Sequence, residues 1–494
     1  MDSKMRCFLR DTSVLGVASL LVRFVSIAAS RYLSKSIGDA GMGLCALVGS
    51  VGGFAATLAT AGVGFAITRL YPAEIASGRR TGAKEIVGAA FLLSLAFGLI
   101  AALPLLLLSG VIGRFLLGNV ETVPALIALA LSLPFTAVSS ALGGYFIAIR
   151  RSRVGAVVRV GEQLLRFSLL PLLLSMLADR GLRFACLAVV LASGIAEGVS
   201  CLFLALCFLR EKKAAKAPGK AAIVSVFTVA FPILLSSLFR SSLTTLEHLL
   251  IPRTLAVSGR DRESALASYG VLMSVALPLS LLPMAFLSAA ASLLVVECAE
   301  RSAAAGRKAV AALAGRALSA TLVIGIGCST LLLLLATRLG NYFGSGAELT
   351  DYLYLLAPVL PLMLVDHVTD AILRGIGEQV YSMWVNIADS LLSILLVLML
   401  LPPLGARGYT VVILLAEIFN LSLSLGRLAR VTGLCLDLRR SLVFPLLGST
   451  FILGVGLFWK TSFVLPLLIG VVLLACMFYA FHQTRPSRKD WYAS

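Results

Sequence analysis

Apolar residues gather along this chain into long runs, separated by short polar segments that are mostly basic. A helix that crosses the roughly 30 Å hydrocarbon layer of a bilayer needs about 20 predominantly apolar residues. About fourteen runs meet that length: 11–32, 41–68, 85–109, 122–148, 155–178, 184–208, 222–246, 265–296, 309–336, 350–372, 380–401, 408–429, 441–459 and 462–482. The pattern predicts an all-α, polytopic membrane protein. The first run carries Arg23 at its centre and continues at spanning length, so it reads as a membrane helix and not as a cleaved signal peptide.

Composition agrees. Of 494 residues, 59% are hydrophobic and 13% charged, whereas a soluble domain carries roughly 25% charged residues. A single soluble globule of this length would run out of polar surface. The net charge of +18 does not imply nucleic acid, because the cations form no single patch or tail. They fall between the apolar runs, and alternate segments carry most of them. The positive-inside rule then places both termini on the cytoplasmic side of a multi-pass membrane protein. The nine cysteines are scattered without a C-x-x-C pair and only three histidines occur, which leaves no metal centre to expect.

Organisation follows from one linker and one echo. REKKAAKAPGK (210–220) is polar, basic and broken by Pro218 and Gly219. On either side, SLLVR ends at Arg23 and SSLFR at Arg240, and each leads into a helix with a Ser-Val pair, Ser50-Val51 and Ser274-Val275. The reading is two pseudo-symmetric six-helix bundles, 1–209 and 222–432, joined by a cytoplasmic linker at 210–221. Residues 433–494 hold two further helices and a cytoplasmic tail. Duplicated halves with a substrate between them are a recurrent transporter design. Pro104, Pro134, Pro171, Pro232, Pro278, Pro283, Pro358 and Pro361 interrupt the runs, as ordinary kinks or as bending points.

The candidate chemistry lies in polar groups inside apolar runs. A charge at mid-bilayer costs at least ~2.5–3.5 kcal/mol, so it persists where it faces water or a partner. Arg23 and Arg31 share one helical face, and Arg240 with Glu247 repeats that spacing in the seventh run. Arg166 is central in the fifth run, with Glu162 and Glu197 as alternative structural partners; Arg240 and Glu247 are equally readable as an internal ion pair. A guanidinium fork suits a phosphate oxyanion. A second cluster places Asn386 with Asp389, and Glu417 with Asn420, one turn apart. Such oxygens hold a sodium ion or carry a proton, or simply bond neighbouring helices. Asp366-His367-x-x-Asp370 has metal-like spacing but lacks further ligands.

Three stretches carry a family resemblance: IGDAGMGLCALVGSVGGFAATLATAGVGFAITRL (37–70), FPILLSSLFRSSLTTLEHLLIPRTL (231–255) and RGIGEQVYSMWVNIADSLLSILLVLMLLPPLGARGY (374–409). They resemble the stage V sporulation protein B and polysaccharide-flippase branch of the multidrug/oligosaccharidyl-lipid/polysaccharide exporter superfamily, which also contains the lipid II flippase. The resemblance implies two six-helix bundles, two extra C-terminal helices that offer a groove to a polyprenyl tail, and alternating access. It also implies that Arg23, Arg31 and Arg240 meet a lipid pyrophosphate, and that Asn386 and Asp389 belong to a cation site.

The expected function is therefore a flippase that carries an undecaprenyl-type lipid-linked glycan from the inner to the outer leaflet, for cell wall, spore cortex or other polysaccharide synthesis. No covalent step and no cofactor is expected, beyond a coupling sodium ion or proton. The expected partners are the glycan lipid and membrane lipids, with the protein a monomer. Two rivals differ in class. A drug exporter of the same superfamily would show unpaired acids and aromatics in its cavity. A membrane-embedded glycan-lipid enzyme would need a catalytic acid or histidine on a sizeable external loop.

Overall fold

The computed structural model describes residues 3–177, 181–210, 216–257, 261–343, 346–434 and 446–450, and these are almost entirely helical. The main helices are α1 (Ser3–Thr60), α2 (Val63–Ala76), α3 (Arg80–Leu107), α4 (Val123–Ala148), α5 (Ser152–Leu177), α6 (Leu182–Arg210), α7 (Lys220–Val257) and α8 (Arg262–Val271). They continue with α9 (Leu282–Ala305), α10 (Ala311–Phe343), α11 (Gly346–Leu356), α12 (Leu360–Gly375), α13 (Gln379–Leu404) and α14 (Ala406–Thr432). Among the described residues nine helices are long and apolar enough to span a membrane, or ten if α11 and α12 form one span bent by 52°.

The runs read from the sequence are cut differently by the backbone. The first two are joined without a loop inside α1, where Gly38 alone leaves helical geometry at φ 71. The second run ends early, because Ala61 and Gly62 take positive φ and α2 starts afresh. The eighth run is not one helix: α8 passes into a π-turn at Leu272–Ala276 and a short turn at Leu277–Ser280 before α9 begins. Pro278 and Pro283 sit at the first positions of those last two pieces, where a missing N–H costs nothing. Pro104, Pro134, Pro171 and Pro232 instead lie inside continuous helices. The thirteenth run is described only at 446–450, and the fourteenth lies outside the described residues.

Packing divides the chain into two compact units: Met1–Val275 with Ile394–Ala406, and Ala276–Ser393 with Arg407–Ser494. The division differs from the expected boundary at 210–221. The reason is α7, which begins after that linker yet buries Ala222, Val226, Ala230 and Leu234 in one core with Val63, Ile67, Ile86 and Tyr145. A second core in the first unit joins α1, α5 and α6 through Leu33, Leu170, Leu174 and Ala188. The second unit has its own core of α9, α10, α12 and α14, around Leu318, Leu364, Val368 and Leu428. Large apolar side chains face outward, among them Leu107 at 79% and Leu209 at 70% exposure. That is unfavourable in water and natural against acyl chains.

Candidate functional sites

The first unit holds the predicted cationic residues. Arg23 is half-buried on α1, and its Nε is buried without a hydrogen bond. One turn on, Ser26 accepts a hydrogen bond from Gln163 Nε2 at 3.0 Å, which ties this stretch of α1 to α5. Arg31 is likewise half-buried, two turns further along the same face. Arg166 on α5 pairs with Glu162 at 2.9 Å, the structural alternative that the sequence leaves open. Arg240 on α7 is exposed and, among the described residues, makes no ion pair; Glu247 is half-buried. Helices α7 and α1 meet beside these residues, where Thr245 Oγ1 donates to the Ser50 carbonyl at 3.2 Å and Thr57 Oγ1 to Ser241 Oγ at 3.3 Å. No hydrogen bond or ion pair between described residues joins Arg23 to Arg240.

The second unit brings the other predicted cluster together and enlarges it. Asn420 Nδ2 on α14 donates to Asp366 Oδ2 on α12 at 3.4 Å. Asn386 Nδ2 on α13 donates to Asp370 Oδ2 at 3.3 Å, and the Ser382 hydroxyl bonds the other oxygen of the same carboxylate. Glu417 on α14 interacts electrostatically with Asp366, Asp389 and Asp370, and its Oε1 is buried without a hydrogen bond. Asp366 and Asn420 are buried. Asp366 and Asp370, which the sequence presents only as a metal-like spacing lacking further ligands, join this cluster; their i, i+4 spacing puts both carboxylates on one face of α12. His367 turns elsewhere, to Ser288 Oγ at 3.2 Å. Among the described residues no three His, Cys, Asp or Glu side chains converge tightly enough to hold a metal ion by themselves. Any cation here would therefore share amide, hydroxyl and carboxylate oxygens.

A third polar group clasps one end of the second unit. Glu378, in the turn between α12 and α13, binds Arg307 at 2.7 Å and Arg427 at 2.9 Å. The Arg427 guanidinium also lies over the Tyr381 ring, 5.1 Å from its centroid.

Residues 8–295 match the family model described as polysaccharide biosynthesis protein, and residues 232–399 match the MatE model. The stage V sporulation protein B of Bacillus subtilis (strain 168) is 26% identical over 285 residues, 56% of this chain and 55% of that protein. The match thus spans about half the length of that curated relative. Among solved structures, the lipid II flippase MurJ in an inward closed conformation superposes with a TM-score of 0.72 at 15% identity, covering 96% of this chain and 99% of the other. An inward-facing multidrug resistance transporter of the MATE family gives 0.67 at 16% identity, over 86% of this chain and 98% of the other. The helical architecture is shared with both. The chain belongs to the polysaccharide biosynthesis protein family, within the multidrug/oligosaccharidyl-lipid/polysaccharide exporter superfamily.

Proposed function

We propose that this protein flips a lipid-linked glycan, carrying an anionic pyrophosphate-sugar head from the inner to the outer leaflet of the bacterial cytoplasmic membrane, with both termini inside. The observation that carries the reading is Arg23: a guanidinium in an apolar helix, with a buried Nε that no described group satisfies. Leaving such a donor unsatisfied is costly, and an incoming phosphate oxygen would offset that cost. Arg31 and Arg240 supply further cations and Glu247 a counter-charge. Arg166, already paired with Glu162, positions α5. The stage V sporulation protein B relative and the likeness to a lipid II flippase support a glycan lipid as cargo. The head group moves by alternating access while its tail stays in lipid, and no bond is made or broken.

In the same proposal, Asn386, Asp389, Glu417 and Asn420, joined by Asp366 and Asp370, form the coupling site. Several carboxylates in an apolar interior demand a compensating cation, either sodium or a proton. One charge crossing 100 mV is worth about 2.3 kcal/mol, enough to bias the return step. The same acidic group, with the MatE match, favours as a second reading a cation-coupled exporter of organic cations. The decisive experiment compares purified protein in proteoliposomes with a fluorescent undecaprenyl-pyrophosphate sugar and with cationic dyes. Flipping of the glycan lipid that Arg23→Ala abolishes, with expression intact, is the expected result. Dye efflux with no glycan movement would overturn the reading.

A further inference from the structure

Two arginines that the transport reading does not use stand where α7 ends and α8 begins. Arg253 donates to the Phe115 carbonyl and, at 2.7 Å, to the Leu116 carbonyl. Arg262 donates to the Leu117 carbonyl at 2.8 Å. These carbonyls close the π-turn Ile112–Leu116, which the chain leaves through Gly118 at φ 63. Carbonyls at a helical C-terminus lack partners within the helix and carry the negative end of its dipole, so this end is a receptor for cations. The receptor depends on Gly118 for a second reason: a Cβ there would lie 2.1 Å from Arg262 Nη2.

About two turns along α8 from Arg262 lies a close backbone crossing. A Cβ at Gly270 of α8 would lie 2.3 Å from the Asp39 carbonyl oxygen and 2.5 Å from the Gly43 nitrogen, and one at Gly43 of α1 would lie 2.0 Å from the Leu266 carbonyl oxygen. Two glycines thus let α1 and α8 touch along their backbones. The lysine and arginine distribution assigns this side to the outside.

We propose that Arg253 and Arg262 are a releasable latch on the outer gate, seating on the carbonyl end Phe115–Leu117 over the Gly43–Gly270 seam. The proposal rests on the transporter reading, but not on the identity of the cargo. Three features make the contact a latch and not a permanent staple. Both arginines are exposed, so water replaces both partners when the contact opens, and the net change per bond is small. Neither arginine forms an ion pair with a described residue, so opening strands no buried carboxylate. A glycine seam also separates without side chains having to unthread.

Labelling from outside tests this without any substrate. Thr245, bonded to Ser50 on the deeper stretch of α1, becomes the reporter as Thr245→Cys, treated on intact cells with a membrane-impermeant maleimide and read at that peptide by mass spectrometry. Arg253→Ala with Arg262→Ala should raise its labelling several-fold, with melting temperature and elution volume retained. Gly118→Ala, which displaces the Arg262 guanidinium without removing charge, should act in the same direction, and Arg253→Lys with Arg262→Lys should restore part of the protection. Unchanged labelling in a folded double-alanine variant overturns the latch; if that variant does not fold, unchanged labelling in both Gly118→Ala and Arg253→Ala does so. A rise in labelling without glycan flipping would refute the cargo and leave the latch standing.

Discussion

Asn420 on α14 and Asp366 on α12 meet inside the second unit, the amide nitrogen 3.4 Å from the carboxylate. Three further carboxylates, Asp370, Asp389 and Glu417, interact in the same group. Oxygen donors gathered from three helices suit a small cation or a proton, and binding to the folded state alone raises its stability by mass action. If sodium is the coupling ion, it should raise the melting temperature of the purified protein, while potassium should not. Glu417→Gln or Asp366→Asn should erase that rise and uncouple transport from the gradient. A rise of equal size in Glu417→Gln would exclude this group as the sodium site.

Glu378 holds Arg307 and Arg427 at once, with only 11% of its side chain exposed. Glu378→Ala frees both guanidinium groups and loosens the junction of the 3-10 turn Arg307–Val310, α13 and α14. The arginines are 49% and 39% exposed, so water screens part of the loss, and a destabilisation of about 1–3 kcal/mol is expected. Thermal unfolding in detergent measures it. Glu378→Asp, a methylene shorter, should fall between the two, and a melting temperature unchanged in Glu378→Ala would show the clasp to be energetically silent.

How much of this was legible in the sequence depends on the kind of signal. An amide or acid in an apolar run stands out by itself, so Asn386, Asp389, Glu417 and Asn420 are visible at once. Which groups they meet is not visible, because Asp366 is 54 residues from Asn420 and only tertiary packing pairs them. The helices follow from apolar length, yet the breaks at Gly38 and at Ala61–Gly62 are backbone events that hydrophobicity does not report. The expected division at 210–221 follows the internal echo, whereas packing follows buried area, and α7 buries its first turns among α2 and α3. For Arg166 the spacing to Glu162 was enough to offer the ion pair that the structure contains.

Gly144 of α4 lies so close to α2 that a Cβ there would be 2.3 Å from the Gly64 carbonyl oxygen, with backbone and not a movable side chain in the way. Close backbone approach through small residues is a main source of helix–helix attraction in membranes. Gly144→Ala must therefore spread α2 and α4 and strain the neighbouring Tyr71–Tyr145 ring contact, whose centroids are 5.5 Å apart. The expected cost is about 1–3 kcal/mol. Gly143→Ala, where a Cβ meets nothing within 4 Å, is the matched control and should melt near the wild-type temperature. Equal melting of the two variants would contradict the packing described.

Asp261 caps α8, its carboxylate accepting from the Ser264 amide at 3.1 Å and from the Ser264 hydroxyl at 2.7 Å. These hydrogen bonds favour the ionised form and hold the carboxyl below its ordinary range. The sign follows from linkage. A depressed folded-state value means that the cap contributes stability above the unfolded-state value, about 4, and loses it as pH falls through the lower folded-state value. Hydrogen exchange of the Ser264 amide, corrected for the intrinsic pH dependence, reads the cap directly. Protection should be constant from neutral pH down to about 4 and should fall below it. Asp261→Ala should be poorly protected throughout, so the two proteins converge in acid, and Asp261→Asn, still a good cap, should keep protection without the pH dependence. The residue that follows the cap is Arg262, so losing the cap also loosens the mounting of one guanidinium on Leu117. An acid-dependent rise in outside labelling of Thr245→Cys that Asp261→Asn suppresses would tie the two together, and a pH-independent Ser264 amide in the wild type would sink the argument at its first step.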